Sequence, residues 1–94
     1  MGKLKSESIN RLYETILKLE TVEECDKFFE DICTIKEIVA MAQRLDVALM
    51  LDEGRNYLDI TDATGVSTAT ISRVSRCLNY GEGGYKIAIE KTKK

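Results

Sequence analysis

Eleven of the fourteen residues from Ile38 to Leu51 are apolar, and only Gln43, Arg44 and Asp46 interrupt the run. It is too short to cross a bilayer, and its apolar surface extends beyond the single stripe with which a surface helix packs on a core. Such a segment must be covered on several sides. A chain of 94 residues buries only about 60–65% of its unfolded surface when it folds alone. A second copy of the chain is the economical source of the missing cover, so the run predicts a homodimer with a shared core.

The flanking punctuation makes the run a helix. Thr34-Ile35-Lys36-Glu37 is a capping box, in which a threonine hydroxyl and a glutamate three residues on satisfy each other's free backbone N–H groups. Gly54 stands where a helix reaching about Glu53 would need a left-handed terminal residue. Upstream, Thr21 to Glu24 repeats the box and opens a helix whose apolar face is Val22, Cys25, Phe29, Ile32 and Cys33. Before that, Ile9, Leu12, Tyr13, Ile16 and Leu17 follow the 3.6-residue period of an amphipathic helix between Ser6 and Glu20.

Downstream of Gly54 the pattern changes. Asn56 caps a short helix from Tyr57 to Ala63, Thr64-Gly65-Val66 forms a turn, and Ser67 caps the next helix. Ile60, Val66, Ile71 and Val74 fall where they would plug the angle between the two helices, and Gly65 permits the positive φ of the tight turn. This is the layout of a helix-turn-helix. Its second helix starts at the surface, where it could enter a major groove. Thr61 stands on the crowded inner face, where alanine or glycine is usual. Three glycines among residues 79–84 end the second helix, and the tail from Tyr85 is expected to be a short helix because a lone strand would have no partner. The expected fold is all-α with five to six helices in a single domain, 1–94. Within it, residues 1–54 serve dimerisation, 55–80 form the helix-turn-helix and 81–94 the tail.

Charge agrees with this division. Residues 1–54 carry seven Lys/Arg and twelve Asp/Glu, net −5, whereas residues 55–94 carry seven and four, net +3. An acidic chain can thereby present one electropositive face to phosphates. The face predicted to meet double-stranded DNA comprises Arg55, Ser67, Thr68, Ala69, Thr70, Ser72, Arg73 and Arg76. Most of these side chains are short, so readout should lean on backbone positioning, DNA shape and bridging water.

Other chemistry is poorly supplied. There is no histidine, and Cys25, Cys33 and Cys77 lack a C-x-x-C pair, so no metal is expected and the cysteines are read as buried small hydrophobes. No paired carboxylates, nucleotide-binding glycine loop or cysteine dyad offers an acid, base or nucleophile, so an enzyme is not expected. Met1 to Ile9 lacks the apolar core and cleavage site of a leader. A cytoplasmic protein with no membrane partner is the expectation.

The run Ala69-Thr70-Ile71-Ser72-Arg73, with Ser75 and Leu78, resembles the recognition helix of the tryptophan repressor, and the likeness extends back through Gly65 and Gly54 to Arg44 and Thr34. There is one residue fewer between the two glycines here. Nearly the whole chain is similar to the Trp-repressor-like YerC/YecD family, through the motif at residues 62–73 and the Asn-Tyr-Gly ending at 79–81. The resemblance implies an intertwined all-α homodimer with two helix-turn-helix heads, acting as a DNA-binding transcriptional repressor. It also implies a ligand pocket, for which Thr34, Arg44, Thr70 and Arg73 match two threonines and two arginines around the co-repressor. Val74 replaces a glycine that lies beside the indole in the tryptophan repressor, and a branched side chain there would take space the ring needs. No resident cofactor is therefore expected. A small-molecule co-repressor remains open, tryptophan is disfavoured, and Arg44 is read first as an ion-pair partner. The competing class is a helical dimeric interaction module or scaffold with no DNA target.

Overall fold

The computed structural model describes residues 6–93, which form six helices and no strand. The leader reading of Met1 to Ile9 therefore lies partly outside the described residues. The chain divides into two compact units, residues 1–38 and 39–94.

In the first unit, α1 (Glu7–Leu17) begins within the expected segment, and α2 (Val22–Ile32) begins at its expected cap. Ser6 Oγ accepts the Ile9 N–H at 3.1 Å and Thr21 Oγ1 accepts the Glu24 N–H at 3.0 Å. The Glu24 carboxylate reaches back to the N–H of Glu20, at 2.8 Å, one residue before the cap. Neither helix buries a residue: Ile9, Leu12, Ile16, Cys25 and Phe29 are half-buried, while Leu17 and Val22 are 81% and 87% exposed. Helices of 11 residues are marginal in water without tertiary cover for their apolar faces, and among the described residues that cover is incomplete.

The third helix, α3 (Ile35–Asp52), opens on the full capping box. Glu37 N–H donates to Thr34 Oγ1 at 3.1 Å and Thr34 N–H to the Glu37 carboxylate at 2.7 Å. At its far end Gly54 takes φ 86°. The Gly54 and Arg55 N–H groups bond back to the carbonyls of Leu51 and Met50, at 3.0 and 3.1 Å, the paired closure that a left-handed residue permits.

The second unit has a core of its own. Val47 and Ala48 of α3 meet Ile60 of α4 (Tyr57–Thr64), Val66 of the turn, Ile71 and Val74 of α5 (Thr68–Tyr80) and Ile89 of α6 (Gly84–Thr92), all buried. All four residues expected to plug the interhelical angle are among them. The tail is helical, as expected, with Tyr85 half-buried, Ile89 buried and Ile87 59% exposed. Lys93, just past α6, pairs with Asp52 at 2.9 Å. The cysteines depart from expectation, for Cys25 and Cys33 are only half-buried and Cys77 is exposed. Cys77 sits one position off the Ile71, Val74, Leu78 stripe that α5 turns to the core.

Candidate nucleic-acid interface

The candidate interface is the outer side of α4, the turn and α5. Asn56 Oδ1 accepts the Asp59 N–H at 2.9 Å and so fixes the start of α4. That helix ends at Gly65, with φ 76° and its N–H bonded to the Thr61 carbonyl at 2.8 Å. Thr64 stitches the turn from both sides, donating to the Ile60 carbonyl at 2.7 Å and accepting the Val66 N–H at 3.2 Å. Ser67 then caps α5 by accepting the Thr70 N–H at 3.2 Å, while its hydroxyl also lies 3.2 Å from Thr70 Oγ1. With Ile60, Val66, Ile71 and Val74 buried beneath, the two helices are held at the turn by packing and hydrogen bonds together.

The far side of α5 is open. Ser67, Thr68, Ala69, Ser72, Arg73 and Arg76 are exposed, as is Arg55 ahead of α4, and Thr70 is half-buried. The exposed positions form a stripe opposite the buried Ile71 and Val74. No acidic residue lies in the first turn of α5, so its partial positive charge is not cancelled locally and favours an approaching anion.

Beside this stripe is a cleft of about 290 Å³ lined by Ala40, Gln43, Arg44, Gly65, Val66, Ser67, Thr70 and Arg73. The second unit thus brings Arg44, Thr70 and Arg73 together, as the sequence suggested for a ligand pocket. Thr34 lies in the first unit, where it caps α3. Val74 lies in the hydrophobic core, 1% exposed. Arg44 is half-buried, and the ion pair expected of it is absent among the described residues, where the salt bridge formed is Lys93 to Asp52. Gln43 was not singled out from sequence. Its signal was its place beside Arg44 in the polar break of an otherwise apolar run, since a polar pair there needs something polar to face.

Thr61, at the crowded inner face of α4, has a buried Oγ1 with no hydrogen-bond partner among the described residues. Among the described residues there is also no cluster of three or more His, Cys, Asp or Glu able to hold a metal, and no helix long and apolar enough to cross a membrane.

A family model described as Trp repressor protein matches residues 7–93. The chain belongs to the Trp repressor family. It is 52% identical over 93 residues to the Bacillus subtilis protein YerC, itself uncharacterised, covering 99% of this chain and 89% of YerC. A TrpR-like protein from Eubacterium eligens superposes with a TM-score of 0.94 at 50% identity, over 99% of this chain and 96% of that one. A Staphylococcus aureus protein described as a candidate Trp repressor gives 0.93 at 43% identity, over 97% and 91%. The Trp repressor family is one of regulators rather than enzymes, and its shared helix-turn-helix is the element just described.

Proposed function

We propose that this chain is a sequence-specific DNA-binding transcriptional regulator, a cytoplasmic repressor that acts by occupying an operator. The observation that carries the reading is the outer face of α5, where Thr68, Ala69, Ser72, Arg73 and Arg76 are exposed above a packed helix-turn-helix core. In this reading residues 1–94 work as one domain and as a homodimer. The support for a partner is the apolar surface left on the helices before the head: Val22, Ile35 and Val39 are 87%, 73% and 48% exposed, and Leu45 is 40% exposed. Two heads related by a two-fold axis would meet half-sites about 34–36 Å apart.

Arg55, Arg73 and Arg76 hold phosphates or guanine edges, Ser67 and Thr70 at the start of α5 contact phosphate, and Thr68, Ala69 and Ser72 face the bases directly or through water. An effector would act at the cleft, where Arg44, Thr70 and Arg73 are the contacts, with Thr34 the further residue the family pattern suggests. Because Arg73 belongs both to the cleft and to the outer stripe, occupation of the cleft would be felt on DNA. Val74, which stands where the family pattern has glycine, is buried in the core and is not among the residues lining the cleft, so it gives no direct steric ground there against an indole.

The test is selection of bound duplexes from a random pool, with and without free amino acids, followed by a salt titration. A regulator yields a palindromic site whose affinity falls steeply as salt rises. Arg76→Ala should weaken binding to all sequences and reduce the salt slope by about one. No enrichment, with retention insensitive to salt, would favour the interaction-module reading instead.

A further inference from the structure

The first turn of the recognition helix has unusually little with which to make a polar base contact. Ser67 is occupied within the protein, its hydroxyl 3.2 Å from both the N–H and the Oγ1 of Thr70. Thr70 is half-buried and turned to the cleft that it lines. This leaves Thr68 and Ala69 as the exposed side chains of that turn, with Ser72 one turn on. Ala69 can offer only a methyl group, and Thr68 a methyl and a hydroxyl. None of the three has the reach of Asn, Gln or Lys, so a helix that uses them must lie with its backbone close to the groove floor. The one apolar group on that floor is the 5-methyl of thymine.

We infer that Ala69 and the γ-methyl of Thr68 are specificity residues that select thymine by packing against its 5-methyl group. The inference rests on the DNA-binding reading and names the base that this part of the surface prefers. Arg73 and Arg76, the long side chains farther along the stripe, supply grip rather than this preference.

The test uses the full chain and duplexes recovered from a random pool, resynthesised with deoxyuridine in place of thymidine one position at a time. This exchange removes the methyl and leaves the Watson–Crick pairing and the O4 acceptor in place. Affinity should fall roughly fourfold at each contacted position, the factor corresponding to about 0.8 kcal/mol per buried carbon. The loss should disappear at one position in Ala69→Gly and at another in Thr68→Ser, which keeps the hydroxyl. Helix content by circular dichroism and affinity for the unaltered duplex establish that the variants fold and bind. Deoxyuridine tolerated everywhere by the wild type would overturn the inference while leaving DNA binding intact, and so would sensitivity that persists unchanged in both variants. If no duplex is recovered at all, the regulator reading falls first and this inference with it.

Discussion

Replacing Thr61 with valine should make the protein more stable. Its Oγ1 is buried without a hydrogen-bond partner among the described residues, and such a group forfeits its water without compensation, at about 1–3 kcal/mol. Valine has the same branched shape, so it fills the same volume with a methyl group, and the helix propensities of the two residues are close. The expected gain is about 1–2 kcal/mol. For a domain of 60–100 residues each kcal/mol moves Tm by roughly 4–8 °C, so a rise of about 4–16 °C should be visible. Urea unfolding at one fixed protein concentration is the assay, with an unchanged m-value showing that stability alone has moved. Thr61→Ser is the control, because it keeps the hydroxyl and discards the methyl; it should cost about 1 kcal/mol. If Thr61→Val proves neutral or destabilising, the hydroxyl has a partner in the native protein and the reasoning is refuted.

At Gly65 an added Cβ would meet no atom within 4 Å, so the φ of 76° is what restricts the position. Gly65→Ala should therefore cost about 1–2 kcal/mol in a melt, and Gly65→Asn less, because asparagine tolerates the left-handed region; equal losses would contradict a purely conformational cost. Leu45→Lys should lower helix content and dimer mass together in sedimentation and circular dichroism, and a well-folded monomer would refute the shared core. Lys93 is held protonated above the usual lysine range, first by its hydrogen bond to Asp52 and then by that carboxylate's charge. A raised folded value means the pair's contribution is complete below the ordinary lysine value and is lost as pH climbs through the folded one. The stability difference between wild type and Asp52→Asn should thus be constant from neutral pH up to the ordinary lysine value of 10.5 and decline only above it, as pH climbs through the raised folded value.

Much of the architecture was legible because its signals are local. Thr21, Thr34, Asn56 and Ser67 each accept the backbone N–H expected of a cap, and the 3.6-residue period separates the buried Ile71 and Val74 from the exposed Ser72 and Arg76. The plug of the helix-turn-helix was readable for the same reason, since its four apolar residues lie within one short segment. What escaped depends on contacts distant in sequence. Gln43 joins the cleft because α3 passes the turn at Gly65; its place beside Arg44 in the polar break calls for a polar neighbour without saying which. Arg44 lacks the carboxylate that its half-buried place suggested, because burial predicts that a charge needs company without saying what provides it. Cys77 was misread from its residue type, when its helical phase relative to Ile71 and Val74 already placed it off the buried stripe.

The two units differ in how far they satisfy themselves, and this bears on how a regulator of this kind could be built. The second unit closes its own core with Val47, Ala48, Ile60, Val66, Ile71, Val74 and Ile89, so the geometry of the surface proposed to meet DNA is set within one chain. The helices α1 and α2 bury nothing, and in the homodimer proposed above a second chain would provide their apolar cover. Folding of α1 and α2 would then be coupled to association and therefore to protein concentration. A head that is fixed before it meets a partner needs only its position set by the dimer. Spacing between half-sites would then be decided by the association helices and base preference by α5, so that each can change by substitution without disturbing the other.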